Sequence, residues 1–230
     1  MSSESKRLYI KIANGIVDQV SNGELKVGEC ILPERKLAEQ LGVSRSVIRE
    51  AMVYLEMLGI ADIRKGAGVF IVRKEPLMSV GKPPEATPFE ILDARLLIEP
   101  EIAKRAAVNG GEELVEELSR CVRMMESSMY FSQEKLRQQT SVDADRQFHK
   151  AINNACNSPI LIKFYRELMS QHMEGDMWMR MDQLADEPAA RGKWVNDHKI
   201  IYEAIKTGDA EQAYSRMREH ILNVISEITE

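Results

Sequence analysis

The stretch at residues 33–72, PERKLAEQLGVSRSVIREAMVYLEMLGIADIRKGAGVFIV, decides how this chain is read. A short helix is expected from Glu34 to Leu41, stopped at Gly42, which tolerates the left-handed conformation that ends helices. Ser44 is a natural N-cap for the next helix, in which Ile48, Ala51, Met52 and Leu55 recur at helical spacing and form a core stripe. At about 100° per residue, Arg45, Ser46 and Arg49 project together roughly 115° away from that stripe. After Gly59, the runs Ala61 to Arg64 and Val69 to Val72 read as two strands joined by Lys65-Gly66-Ala67-Gly68, whose glycines permit a tight turn.

Upstream, Tyr9, Ile12, Ala13, Ile16, Val17 and Val20 fall on one face of a helix that stops near Gly23. Helix, helix-turn-helix and β-hairpin, in that order, make a winged helix. The segment from Glu75 to Pro88, EPLMSVGKPPEATP, holds four prolines and no helical or strand period, and reads as a linker. Beyond it we expect six helices, at about 89–109, 111–130, 132–156, 159–182, 189–207 and 209–228, and no strands. Asp209 with Gln212 resembles a capping box at the start of the last one. The fold expected is therefore mainly α, with an N-terminal winged helix-turn-helix at 1–74, a linker at 75–88 and an all-α six-helix bundle at 89–230.

Composition sets the outer limits. With 44% apolar and 29% charged residues, the chain has the make-up of a globular protein. No apolar run approaches the ~20 residues of a membrane span, and the opening MSSESKRLYIKI lacks the apolar core of a secretory signal, so a cytoplasmic location and no membrane partner are expected. Three widely spaced cysteines, Cys30, Cys121 and Cys156, fit a reducing compartment. The net charge of -5 argues against nucleic acid only as an average: residues 1–75 hold 12 Lys and Arg against 10 Asp and Glu, and residues 76–230 hold 19 against 26. Local positive charge is what a phosphate-binding surface needs, so the N-terminal segment is the candidate for DNA.

An isolated Arg pair at i, i+4 is ordinarily a solvated face. Here the pair lies in the first turns after a Gly-Val-Ser turn, where a recognition helix meets base edges, and Arg pairs bidentately with guanine O6 and N7. The 33–72 stretch resembles the winged helix of the GntR superfamily, particularly its FadR-like group, through its E-R-x-L-A, V-S-R, I-R-E-A and G-x-G elements. It departs from that pattern in having Pro33 directly before Glu34-Arg35, one residue later than usual. The resemblance implies DNA contacts by Arg35, Arg45, Ser46, Arg49 and Gly66, with Lys65 assisting at the wing. A homodimer on an inverted-repeat double-stranded operator is expected, since one winged helix touches too few bases for useful specificity.

His198 shares a stripe with Ile201, Tyr202 and Ile205, and His220 shares one with Ala213, Met217, Ile221, Val224 and Ile228, so both are expected to face the bundle interior. Asp145 and His149 are i, i+4 neighbours flanking the stripe of Ala144, Phe148, Ala151, Ile152 and Ala155. A carboxylate and three imidazoles from three helices suit a divalent cation with open positions, although any single inward histidine is ordinarily a hydrogen-bonded core residue. Residues 89–228 resemble the FCD ligand-binding domain, through D-x-R-x-x-I-E at Asp93, Arg95 and Glu99, D-x-x-F-H ending at His149, and the two later histidines. That resemblance implies a divalent transition metal, zinc or nickel, on Asp145, His149, His198 and His220, and a small carboxylic acid as effector.

Arg95 is a candidate to hold the effector carboxylate, with a structural ion pair to Glu99 as the alternative. His172, Met173, Met177 and Trp178 could line a pocket or simply form core. The expected function is a metabolite-responsive regulator, a repressor released by a small organic or sugar acid. The C-terminal part has the look of regulators of hexuronate or related sugar-acid use. Two other readings remain at this point: a DNA binder whose metal is purely structural, and a metal-dependent hydrolase, for which no H-E-x-x-H base or nucleophile motif is found.

Overall fold

The computed structural model describes residues 8–64, 66–76, 88–170 and 188–229. The chain divides into one compact unit of Met1–Glu85 with Thr229–Glu230 and another of Ala86–Ile228.

The first unit contains α1 (Leu8–Asn22), α2 (Glu34–Leu41), α3 (Arg45–Met57), β1 (Ala61–Arg64) and β2 (Gly68–Ile71). Tyr9, Ala13, Ile16 and Val20 form the buried face of α1, and the Tyr9 ring meets Tyr54 of α3 edge-on at 5.9 Å. Pro33 caps α2 with its own carbonyl, which accepts from Leu37 N at 3.0 Å. The shifted proline therefore starts the helix without disturbing it. Gly42 ends α2 at φ 65°, Val43 N reaches back to Ala38 O at 3.1 Å, and Ser44 Oγ accepts from Val47 N at 3.4 Å to open α3.

α3 buries more than its expected stripe. Val47, Val53, Tyr54 and Met57 join Ile48, Ala51, Met52 and Leu55, because α1, α2 and β1 pack around it. Complete burial of a side chain such as Ile48, Met52 or Leu55 contributes about 1.5–3 kcal/mol, which makes this helix the centre of the unit.

The hairpin pairs Ala61 with Ile71 through to Arg64 with Gly68. β2 begins at Gly68, one residue before the expected start, since that glycine completes the register opposite Arg64. A third segment lies along it: Gly28 N and Ile31 N donate to Ile71 O and Val69 O at 2.7 Å each, Ile71 N donates to Glu29 O at 2.9 Å, and Cys30 bridges Phe70. Gly68, at φ 110°, suits glycine on two counts: the backbone conformation strains other residues, and a Cβ there would come within 2.9 Å of Cys30 Sγ and force a shift.

Among the described residues the second unit is entirely helical: α4 (Pro88–Asn109), α5 (Glu112–Ser128), α6 (Glu134–Ala155), α7 (Pro159–Ser170), α8 (Pro188–Lys206) and α9 (Ala210–Thr229). Five of the six lie within a few residues of their expected spans, and α7 starts where expected, at Pro159. The expected extension of α7 to 182, with His172, Met173, Met177 and Trp178, lies outside the described residues. α4 runs on through Pro100, although proline has no N–H to donate to the preceding turn. Asp209 Oδ1 accepts from Gln212 N at 3.0 Å and opens α9. The core gathers Ile102, Ala106, Leu118, Cys121, Val122, Phe148, Ile152, Ile201, Ala213, Met217 and Ile221 from α4, α5, α6, α8 and α9. No described helix is long and apolar enough to cross a membrane.

Candidate metal centre and nucleic-acid interface

Within this apolar core, Arg95, Glu99, His149, His198 and His220 are buried polar side chains. Groups of this kind must be paired to be tolerated there. Asp145 and His149, one turn apart on α6, meet His198 from α8 and His220 from α9. The potential ligand atoms of these four residues all lie within 4.8 Å of one another. The imidazole centroids of His149 and His198 are 5.4 Å apart, those of His149 and His220 also 5.4 Å, and those of His198 and His220 4.5 Å. The Phe148 ring stands edge-on to His198 at 4.8 Å and walls the cluster with hydrocarbon.

Each imidazole is oriented through its Nδ1. His149 Nδ1 lies 2.6 Å from Glu99 Oε2, His198 Nδ1 2.6 Å from Trp194 O, and His220 Nδ1 3.5 Å from Asp197 Oδ2. A carboxylate or carbonyl oxygen can only accept, so Nδ1 carries the proton in each neutral ring and Nε2 carries the lone pair. Carboxylate or carbonyl acceptors behind the imidazoles are the outer partners that fix ring orientation and raise basicity in histidine metal sites. His149 Nε2 and His198 Nε2 are both buried without an aligned hydrogen bond, even though they lie 3.7 and 2.9 Å from Asp145 Oδ1. Orphaned, inward lone pairs beside a carboxylate are what a cation would satisfy.

The electrostatics agree. Burial, and then the neighbouring His198, pull His220 down to about 4, which favours a neutral, coordinating ring at neutral pH. Burial alone would raise Asp145, yet His149, His198 and Arg95 hold it well below the usual carboxylate range. Its side chain is still 34% exposed, so solvent weakens these interactions. For Glu99, burial is outweighed by Arg95 and His149, which bring it to about 2.

Sequence reasoning named Arg95 as an effector contact or an ion-pair partner. The structure buries it against Glu99, with Nε donating to Oε1. It missed that Glu99 also carries His149, and that Asp197 and the Trp194 carbonyl carry His220 and His198. A signal existed for Glu99: Leu92, Arg95, Glu99, Ile102 and Ala106 recur at helical spacing, which places both charges on the buried face of α4.

On the winged helix, Arg45 and Ser46 are exposed in the first turn of α3, with Ser46 Oγ 2.9 Å from Ser44 Oγ. Arg49 is half-buried and held by Glu34 at 3.2 Å. Arg35, with 72% of its side chain exposed, lies 3.6 Å from Glu39. Gly66 is exposed at φ 76° with nothing within 4 Å of a would-be Cβ, so its glycine serves the backbone bend of the turn. Lys65 lies outside the described residues.

A winged helix that exposes cations at the start of α3, in one chain with a helical domain built around a buried His and Asp cluster, defines a DNA-binding regulator with a ligand-binding domain. The family model for bacterial regulatory proteins of the gntR family matches residues 8–71, and that for the FCD domain matches residues 90–223. The Uxu operon transcriptional regulator of Escherichia coli K12 is 30% identical over 234 residues, spanning 100% of this chain and 90% of that protein. The Exu regulon transcriptional regulator of the same organism is 27% identical over 226 residues, spanning 96% and 84%. Among solved structures, Escherichia coli McbR/YncC superposes with a TM-score of 0.52 at 23% identity, covering 99% of this chain and 98% of that one, a likeness of fold. The chain belongs to the GntR family of bacterial transcription regulators and carries an FCD ligand-binding domain. The family and these relatives are regulators, not enzymes, which removes the hydrolase reading.

Proposed function

We propose that this chain is a metabolite-responsive repressor that binds an inverted-repeat operator as a homodimer and leaves it when a small carboxylic acid occupies the helical domain. The observation that carries this reading is the set of three histidines fixed through Nδ1, with Nε2 of His149 and His198 buried beside Asp145 and without an aligned hydrogen bond. In this reading Asp145, His149, His198 and His220 hold a divalent transition metal, zinc or nickel, suited to imidazole and carboxylate ligands. When bound, the ion supplies fixed positive charge and open positions for an acid with a neighbouring hydroxyl or keto oxygen. Glu99, Asp197 and the Trp194 carbonyl orient the rings, and Phe148 excludes water from one side. Arg95, anchored by Glu99, would meet the acid's carboxylate through its Nη donors. On the DNA side, Arg45, Ser46 and Arg49 meet base edges, Arg35 and Lys65 meet phosphates, and Gly66 lets the wing approach the duplex.

Elemental analysis combined with operator titration tests this. Wild type should retain metal and lose operator affinity about 5- to 150-fold on adding the acid, the usual size of such coupling. Hexuronates and related sugar acids are the first to try. His198→Ala and His220→Ala should lose both the metal and the response; equal metal and equal response in both variants would reject the site. Metal retention with DNA affinity indifferent to every acid would reassign the ion to a structural role.

A further inference from the structure

In the structure Arg49 is paired with Glu34 through two hydrogen bonds. Arg49 Nε donates to Glu34 Oε1 at 3.3 Å and Arg49 Nη2 donates to Glu34 Oε2 at 3.2 Å. This is a side-on fork across the helix-turn-helix, from the first residue of α2 to the second turn of α3. A guanidinium is planar and presents two hydrogen-bonding edges. One, formed by Nε and Nη2, is taken by Glu34. The other, formed by Nη1 and the outer hydrogen of Nη2, is the edge that can pair end-on with guanine O6 and N7. The pair is half-buried, with 36% of the Arg49 side chain and 27% of the Glu34 side chain exposed, so the contact is screened less than a surface ion pair. Arg35 provides the contrast: it touches Glu39 through one nitrogen at 3.6 Å, 72% exposed, and nothing there fixes the plane of its guanidinium.

We infer that Glu34 is a specificity-determining positioning residue: it locks the plane of Arg49 so that the free guanidinium edge faces a guanine. This rests on the reading of Arg49 as a base contact. Holding the side chain beforehand removes rotamer entropy that the complex would otherwise have to absorb. It also restricts the approach to one geometry, which favours a bidentate partner over a phosphate. Glu34 carries a negative charge close to the DNA-facing surface, so its contribution is to selectivity and opposes general affinity.

The test is selection of duplexes from a random-sequence DNA library by the full chain, as wild type, Glu34→Gln, Arg49→Ala and the double variant, with melting temperatures measured alongside. The isosteric amide turns one acceptor into a donor facing Arg49 and breaks the fork. Glu34→Gln should flatten the preference for one base pair per half-site by about tenfold, at the position that Arg49→Ala also flattens. Affinity for scrambled duplex should stay equal or tighten, and the double variant should discriminate no worse there than Arg49→Ala. If Arg49→Ala flattens a position and Glu34→Gln leaves it intact, the Glu34 role is overturned while the Arg49 reading stands. If Arg49→Ala alters no position, both fall. A uniform loss on all sequences, in step with a lowered melting temperature, would show that Glu34 only supports the fold.

Discussion

The two units handle charge in opposite ways. In the winged helix, the cations proposed to meet DNA stand largely on the outside: Arg35 and Arg45 are exposed, and Arg49 is half-buried. In the helical unit, the polar groups are sealed in, with Arg95, Glu99, His149, His198 and His220 all buried. Exposed cations need little from the fold except a rigid helix to stand on, and Ile48, Met52 and Leu55 provide that. Buried ones require a complete set of partners, because each unsatisfied group costs on the order of 1–3 kcal/mol. The DNA-facing surface is therefore local in sequence, whereas the buried cluster draws on residues from 95 to 220.

If this contrast is right, damage to one unit should leave the other's chemistry standing. The largest effect is expected for Phe148→Ala, which removes a fully buried ring beside His198. It should cost the helical unit about 3–5 kcal/mol. Denaturant unfolding followed by tryptophan fluorescence reads this unit alone, since Trp178 and Trp194 are the two tryptophans of the chain. Binding to non-specific DNA should survive; its loss would break the separation of the two units.

A pH series on metal-free protein sharpens the comparison. His220 titrates at about 4 when folded, against 6.5 ordinarily, so the unfolded chain takes up its proton first as pH falls. Stability should drop between about pH 6.5 and pH 4, by on the order of 3 kcal/mol. Glu99, at about 2 when folded and 4.5 ordinarily, adds a further loss below pH 4.5 for the same reason. A helical unit whose unfolding midpoint stays level from pH 7 to pH 4 would contradict the buried network. The smallest effect is expected for Asp209→Ala, which removes one N-cap from α9 and should cost about 1 kcal/mol. Metal content and operator affinity should not change; a change in either would tie the start of α9 to the ligand site.

Much of the fold was legible because its signals are local. Gly42 and Ser44 mark the turn between α2 and α3, and Asp209 marks the start of α9, each through hydrogen bonds spanning a few residues. The segment Glu29–Ile31 along β2 was not legible: its pairing with Val69, Phe70 and Ile71 spans some 40 residues and leaves no alternating pattern behind. The cluster divides along the same line. Asp145 and His149 share a turn, and His198 and His220 sit on apolar stripes, so periodicity finds them. Glu99 and Asp197 act on histidines 50 and 23 residues away. No spacing rule links residues brought together only by the packing of α4 on α6 or α8 beside α9.

One feature of the cluster bears on rates as well as affinities. Asp145 keeps 34% of its side chain in contact with solvent, while the side chains of His149, His198 and His220 are at 2%, 1% and 2%. The cluster thus has a wet side and a dry side. If the proposed metal binds here, Asp145 would be its one ligand within reach of water and the three histidines would be shielded from it, so the ease of loading the site and the lifetime of the loaded state would be tuned by different residues.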